Sequence, residues 1–208
     1  MASPILDDDT AWEGVEITGE LAGYADRLEI AGSHLVDATC TGVELTGLRL
    51  QDCRIERCEF SGALLEQGAL QRVQFIDCRL SGVVLTNARL RHVRFTRCRM
   101  DGATLRMLTG DPVIFDECQL ERSDFYAAQL AGARFRDCDL TDADFSQSVL
   151  TGATLHGSRL DGVGGGAAFR GVHISPDQIL VMAQSVLTSL GIVVTEPERD
   201  PDEPAPGS

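Results

Sequence analysis

From Ile30 onward an apolar residue recurs at every fifth position: Ile30, Leu35, Cys40, Leu45, Leu50, Ile55, Phe60, Leu65, Leu70, Phe75, Leu80, Leu85, Leu90, Phe95, Met100 and Leu105. After Gly110 the series resumes at Phe115 and runs in steps of five to Leu160. Two positions before each centre stands a small residue, as in Cys53, Cys58, Ala63, Gly68, Val73, Cys78, Val83 and Ala88. Polar residues dominate the positions between. An amphipathic helix repeats near 3.6 residues and a half-buried strand at 2, so neither writes this pattern. The chain must turn a corner every five residues.

A second period lies on the first. Cys58, Cys78, Cys98, Cys118 and Cys138 are spaced by twenty. So are Phe75, Phe95, Phe115 and Phe135, and so are Gly42, Gly62, Gly82 and Gly102. Twenty is four fives, and four short sides close one square coil. Like residues then stack on like residues, with coils ~4.8 Å apart. The spacing predicts an all-β solenoid over residues 28–163 with the five cysteines on one inner face. Residues 106–112 break the pattern, yet Phe95 to Phe115 still spans twenty. That predicts a distorted side, not an inserted loop.

Open solenoid ends must be covered. Residues 1–27, which hold Trp12 and fit the repeat poorly, read as an N-terminal segment and cap. Residues 164–194 read as a C-terminal cap. Ser175-Pro176-Asp177-Gln178 is a helix start, with Ser175 as N-cap, Pro176 in the first turn and Gln178 closing a capping box. Ile179, Leu180, Ala183, Val186, Leu187 and Leu190 form an apolar stripe at helical spacing, and Gly191 is the expected stop. The stripe is wider than one cap requires, which predicts a dimer interface on this helix. Ile192-Val193-Val194 would suit a short strand. Residues 195–208, acidic and proline-rich, read as disordered.

Composition narrows the chemistry. The chain has 208 residues and a formal charge of −14, and its 18 basic residues are all arginine. No apolar run reaches the ~20 residues of a membrane span, and no secretory leader opens the chain. Seven cysteines with no CxxC pair disfavour metal and disulfide frameworks and point to a reducing cytoplasm. The charge is uneven. Residues 30–107 carry eight acids and eleven arginines, net +3, while residues 108–163 carry ten acids and four arginines, net −6.

Each candidate site has a plainer reading beside it. The cysteine ladder could serve redox or metal chemistry, but each thiol fills a slot that Ala or Val fills elsewhere, so it reads as small apolar core. His34, His92, His156 and His173 fall on different sides or coils and form no catalytic dyad. No acid–base pair and no phosphate loop is present, so no enzyme, cofactor or metal is expected. The outward arginines, among them Arg49, Arg54, Arg72, Arg89, Arg91 and Arg94, are interleaved with acids and read as a solvated, ion-paired surface, not as a nucleic-acid contact. The acids Asp111, Asp116, Glu117, Glu121, Asp124, Asp137, Asp139, Asp142 and Asp144 form the candidate partner-binding set, able to imitate a row of phosphates.

Ala143-Asp144-Phe145, Ser123-Asp124-Phe125 and Cys138-Asp139-Leu140 carry a motif of small residue, polar residue and Leu or Phe centre. The chain resembles the pentapeptide-repeat family over about two-thirds of its length. The resemblance implies a right-handed quadrilateral β-helix with a C-terminal capping α-helix. In length, acidic sign, uninterrupted repeat and C-terminal helix the chain resembles the quinolone-resistance members, of MfpA and Qnr type, which are dimeric acidic rods that imitate DNA and bind DNA gyrase. That resemblance implies a cytoplasmic homodimer, with gyrase or topoisomerase IV as partner and protection against topoisomerase inhibitors as outcome. The alternative expectation is a rigid scaffold for some other protein.

Overall fold

The computed structural model of the chain describes residues 11–21 and 23–195. The tail expected to be disordered lies, apart from Thr195, outside the described residues. The chain forms a right-handed, four-sided parallel β-helix closed at its C-terminal end by a single α-helix. Every neighbour along the rod is parallel, and from residue 24 to residue 164 the register is twenty.

Four columns of paired residues define four faces. The first runs Ala11, Glu29, Arg49, Ala69, Arg89, Thr109, Gln129, Val149. The second runs Glu16, His34, Arg54, Gln74, Arg94, Ile114, Arg134, Thr154, His173. The third runs Glu20, Thr39, Glu59, Arg79, Arg99, Gln119, Asp139, Arg159. The fourth runs Tyr24, Glu44, Leu64, Val84, Thr104, Asp124, Asp144, Gly164. The first coil is two residues short, pairing Ala11 with Glu29; a bulge between Ile17 and Gly19 on the second face takes up one of them, and the fourth face reaches the full register at Tyr24 and Glu44.

The corners explain the five-residue step. From Arg27 to Gly162 every fifth residue has φ between +50° and +73°, with Pro112 the one exception. A left-handed residue reverses the chain within one step, and glycine takes that conformation freely. Hence Gly42, Gly62, Gly82 and Gly102 stack on one edge. Gly32, Gly47, Gly132, Gly152, Gly157 and Gly162 are corners too, and the remaining corners are Asp, Asn, Gln, Arg or another residue with a Cβ, each at a steric cost of about 1–2 kcal/mol. Neighbouring coils offset that cost with backbone hydrogen bonds, for example Gly42 N–H to Ser61 C=O at 3.0 Å and Arg72 N–H to Arg91 C=O at 2.8 Å.

Proline cannot adopt positive φ. At Pro112 the corner is therefore flattened, and one strand runs through it from Thr109 to Asp116. No loop is inserted, because Arg89–Thr96 pairs with it in register on both sides of the bend. Gly110 takes a centre position without a side chain. A Cβ there would lie 2.7 Å from Val113 Cγ2 and 2.8 Å from Leu130 Cδ2, which fill its place.

All the centres from Leu35 to Leu105 and from Phe115 to Leu160 are buried, and so are the small residues beside them. Phe75, Phe95, Phe115 and Phe135 stack along the second face with centroids 4.8, 5.1 and 4.9 Å apart. Phe125 and Phe145 stack on the fourth face at 4.6 Å and meet the first set edge-on across the core. Such pairs add about 0.5–1.5 kcal/mol each beyond their burial.

The cap is bonded as well as packed. Gln178, buried, donates from Nε2 to the carbonyls of Leu155 at 2.7 Å and Ser158 at 2.6 Å, and its Oε1 accepts the N–H of Ser175 at 2.8 Å. Ser185 Oγ donates to Val163 C=O at 2.7 Å. These bonds satisfy polar groups of the last coils that no further coil would meet. Phe169 meets Phe145 edge-on at 5.7 Å between centroids and covers the end of the ring stack. Gly165, with φ +84°, lets the chain cross the last coil, since a Cβ would collide with the backbone of Phe145 and Ser146. The helix α1 runs Ile179–Ser189 and follows a 3-10 turn at Pro176–Gln178. Residues 192–194 form no strand and are exposed.

Candidate functional site: an acidic side of the rod

Outward side chains are placed by the corner and the two residues flanking each centre. Position along the sequence modulo twenty therefore selects the face. The nine candidate acids do not share one surface. Asp111 stands on the first face and Asp116 on the second. Glu121 and Asp139 stand on the third face, and Asp124 and Asp144 on the fourth. Asp142 is the corner between the third and fourth faces, and Glu117 and Asp137 are corners leading into the third. Seven acids thus share one side of the rod, joined there by Asp161.

The split changes the charge reading. Over residues 108–163 the third and fourth faces with their corners carry eight acids against Arg122 and Arg159, net −6. The first and second faces of the same coils carry Asp111 and Asp116 against Arg134 and Arg136, net zero. In residues 30–107 the first and second faces have six arginines and two acids, net +4, and the other side five arginines and six acids, net −1. Negative and positive excess lie at opposite ends and on opposite sides.

The acids differ in freedom. Asp116 is bound by Arg136 at 2.9 Å and lies 3.6 Å from Arg94. Asp139 is bound by Arg159 at 2.7 Å and accepts from the Thr141 hydroxyl at 2.6 Å. Asp124 lies 3.6 Å from Arg106 and accepts the N–H of Tyr126 at 2.8 Å. Asp144 accepts the N–H of Ser146 at 2.8 Å. Asp137 and Asp142 lean over Gly157 and Gly162, whose missing side chains leave them room. Asp137, Asp142, Asp144, Glu117 and Glu121 make no ion pair within 4.0 Å among the described residues; Glu121 Oε2 is buried without a hydrogen-bond partner, which leaves four carboxylates open to a cationic partner.

The thiols have a bonding role that their small volume hides. Cys78 Sγ lies 3.4 Å from the carbonyls of both Ile55 and Ile76, and Cys98 and Cys118 repeat the geometry one and two coils on. Ser158 takes the same slot one coil beyond Cys138 and donates to Phe135 C=O at 3.3 Å. On the fourth face the N–H of the small residue closes a tight turn, as Ala63 does to Phe60 C=O at 3.0 Å and Ala103 to Met100 C=O at 3.0 Å. Burial pushes the Cys40 thiol up to about 12 and raises Cys53. A buried thiolate without a cation is costly, so the ladder is neutral. Among the described residues no group of three or more ligating side chains could hold a metal ion, and no helix is long and apolar enough to cross a membrane.

The proposed helix stripe divides. Val186 packs against the rod together with Val181 and buried Met182. Ile179, Leu180 and Leu190 face outward, with Leu180 82% exposed, while Ala183 and Leu187 are half-buried. Val193 and Val194 extend the exposed apolar area.

Comparison with known proteins agrees with the architecture. A family profile for a pentapeptide repeat region matches residues 48–125, and a profile of eight pentapeptide repeats matches residues 113–142 and 128–163. Among curated proteins, none matches the sequence. Two trypsin-treated forms of QnrB1, a plasmid-mediated fluoroquinolone resistance protein, share the fold. One is 20% identical over 89% of this chain and 99% of its own, with a TM-score of 0.50. The other is 18% identical over 92% and 99%, also at 0.50. With repeat profiles covering residues 48–163 and a four-sided coil of register twenty beneath them, the chain belongs to the pentapeptide-repeat family.

Proposed function

We propose that the protein is a non-enzymatic binding protein whose acidic side occupies the DNA-binding groove of a type II topoisomerase, DNA gyrase first among them, and so moderates the action of topoisomerase inhibitors. The observation that carries this reading is the one-sided charge: the whole net −6 of residues 108–163 falls on the third and fourth faces and their corners. Coils ~4.8 Å apart present those carboxylates as a stiff row. Such a row steers toward a basic groove and makes binding salt-sensitive. The fold shared with a fluoroquinolone resistance protein supports the choice of partner. The exposed face of α1 supports assembly as a homodimer, since a contiguous wet apolar patch usually marks an interface.

The test is a gyrase supercoiling assay with and without a quinolone. Wild type is expected to alter activity or drug response. Replacing Asp137, Asp139, Asp142 and Asp144 by Asn should weaken the effect by about tenfold or more. Asn tolerates the left-handed corners at 137 and 142, so the rod should stay folded. Neutralising Arg89, Arg94 and Arg99 should leave the effect intact or strengthen it. No effect of the wild type at low salt would sink the reading. For assembly, light scattering should show a dimer that Leu180→Asp with Leu190→Asp converts to a folded monomer.

A further inference from the structure

The first face holds a shallow depression of about 240 Å³ bounded by Arg49, Gln51, Gln71, Arg89 and Arg91, with Ala69 in its floor. Its origin lies in the column register. Ala69 sits between Arg49 and Arg89, so a short side chain separates two long ones and the sheet surface dips. Opposite, Gln51, Gln71 and Arg91 form the parallel column. The depression lies on the first face of residues 30–107, part of the side that carries net +4.

The arginines here are unlike most others on the rod. Arg57, Arg72 and Arg97 are each clamped by an aspartate of the preceding coil, at 2.8, 2.5 and 2.7 Å. Arg89 and Arg91 make no ion pair within 4.0 Å among the described residues, although Asp111 is the register neighbour of Arg91. Arg49 holds Glu29 at 2.6 Å in an exposed pair, which is weak and exchangeable. Two free guanidiniums and one readily freed converge on a single dip.

We propose that this depression docks an extended, carboxylate-rich segment of a partner protein. Arg89 and Arg91 are two residues apart on one strand, so their side chains leave the same face ~6.6 Å apart. That is the spacing of alternate side chains in an extended peptide, so both guanidiniums can meet successive outward carboxylates. Gln51 and Gln71 add a donor and an acceptor each. A peptide group uses both, whereas a phosphodiester, which only accepts, uses half. The chain's −14 also opposes a long polyanion such as nucleic acid more than a short acidic segment. The site is separate from the acidic side, and either can fail alone.

The experiment is fluorescence anisotropy of fluorescein-labelled hexaglutamate at about 25 mM salt. Wild type should bind saturably, and Arg89→Gln with Arg91→Gln should weaken binding about tenfold or more. Arg97→Gln, on a corner away from the dip and already tied to Asp77, should stay within about twofold. All three positions are exposed, and circular dichroism of the variants checks the fold. Unlabelled duplex DNA at equal charge should displace the peptide less well than unlabelled hexaglutamate does. Absence of saturable binding, a double variant within about twofold of wild type, or better displacement by DNA would each overturn the proposal.

Discussion

The two ends of the rod repeat one backbone and differ in nearly everything the side chains decide. Toward the N-terminus the core is aliphatic: Ile17, Leu35 and Ile55 line the second face and Leu45, Leu65 and Leu85 the fourth. A void of about 20 Å³ remains among Leu45, Leu50, Ile55 and Phe75. The surface there is tied by arginine–aspartate clamps across coils. Toward the C-terminus two phenylalanine columns interlock across the core, and on the third and fourth faces Asp139 is clamped by Arg159 while Asp137, Asp142 and Asp144 make no ion pair among the described residues. The backbone ladder holds the coils at constant spacing, which frees core and surface to vary independently. One end stores its specificity in surface pairs, the other in ring packing.

Substitutions can break this contrast. The largest effect is expected inside the ring stack. Phe135→Ala removes a ring that stacks on Phe115 and meets Phe125 and Phe145, and should cost about 4 kcal/mol or more in urea unfolding. Leu45→Ala beside the existing void should cost less, about 3 kcal/mol. Equal losses would show that ring packing adds nothing specific at the C-terminal end. Removal of one clamp should matter far less. Arg57→Gln is expected to lower the urea midpoint slightly, with a double-mutant cycle against Asp37→Asn recovering a small favourable coupling, because both groups are exposed.

The smallest effect should follow pH. Hydrogen bonds from Arg57, Arg72 and Arg97 hold Asp37, Asp52 and Asp77 below the usual carboxylate range. Their contribution is present above the unfolded value near 4 and is lost as pH falls through the lowered folded values. Amide hydrogen exchange between about pH 5 and 3 should therefore show the clamped coils loosening first. A triple Asp→Asn variant at these positions should flatten that dependence.

Much of the fold is legible because periodicity is a property of the sequence itself. Phe75 to Phe135 and Cys58 to Cys138 announce the stack, and the capping box at Ser175 announces the helix. The site is less legible, for a geometric reason. Charge summed along the chain groups Asp111 and Asp116 with Asp137 and Asp144, yet position within the coil places them on other faces. Counting modulo twenty, not by halves, would have separated them. The stripe on α1 misled in the same way: Val186 turns toward the rod while Leu180 turns out, and only the docking of the cap decides which. The thiol bonds were hidden because alanine and cysteine have similar volume but differ in what they can donate.

The constant register carries a consequence for how such a chain can change length. Loss or gain of twenty residues shortens or lengthens the rod by one storey and leaves every column aligned. Loss of five residues instead rotates all that follows by a quarter turn. A deletion of five within 126–136, for instance, would swing Asp137, Asp142 and Asp144 around the axis onto the next faces while the core still found Leu and Phe at its centres. The molecule would fold as before and face a different way. Length in this protein is quantised in twenties, and orientation in fives.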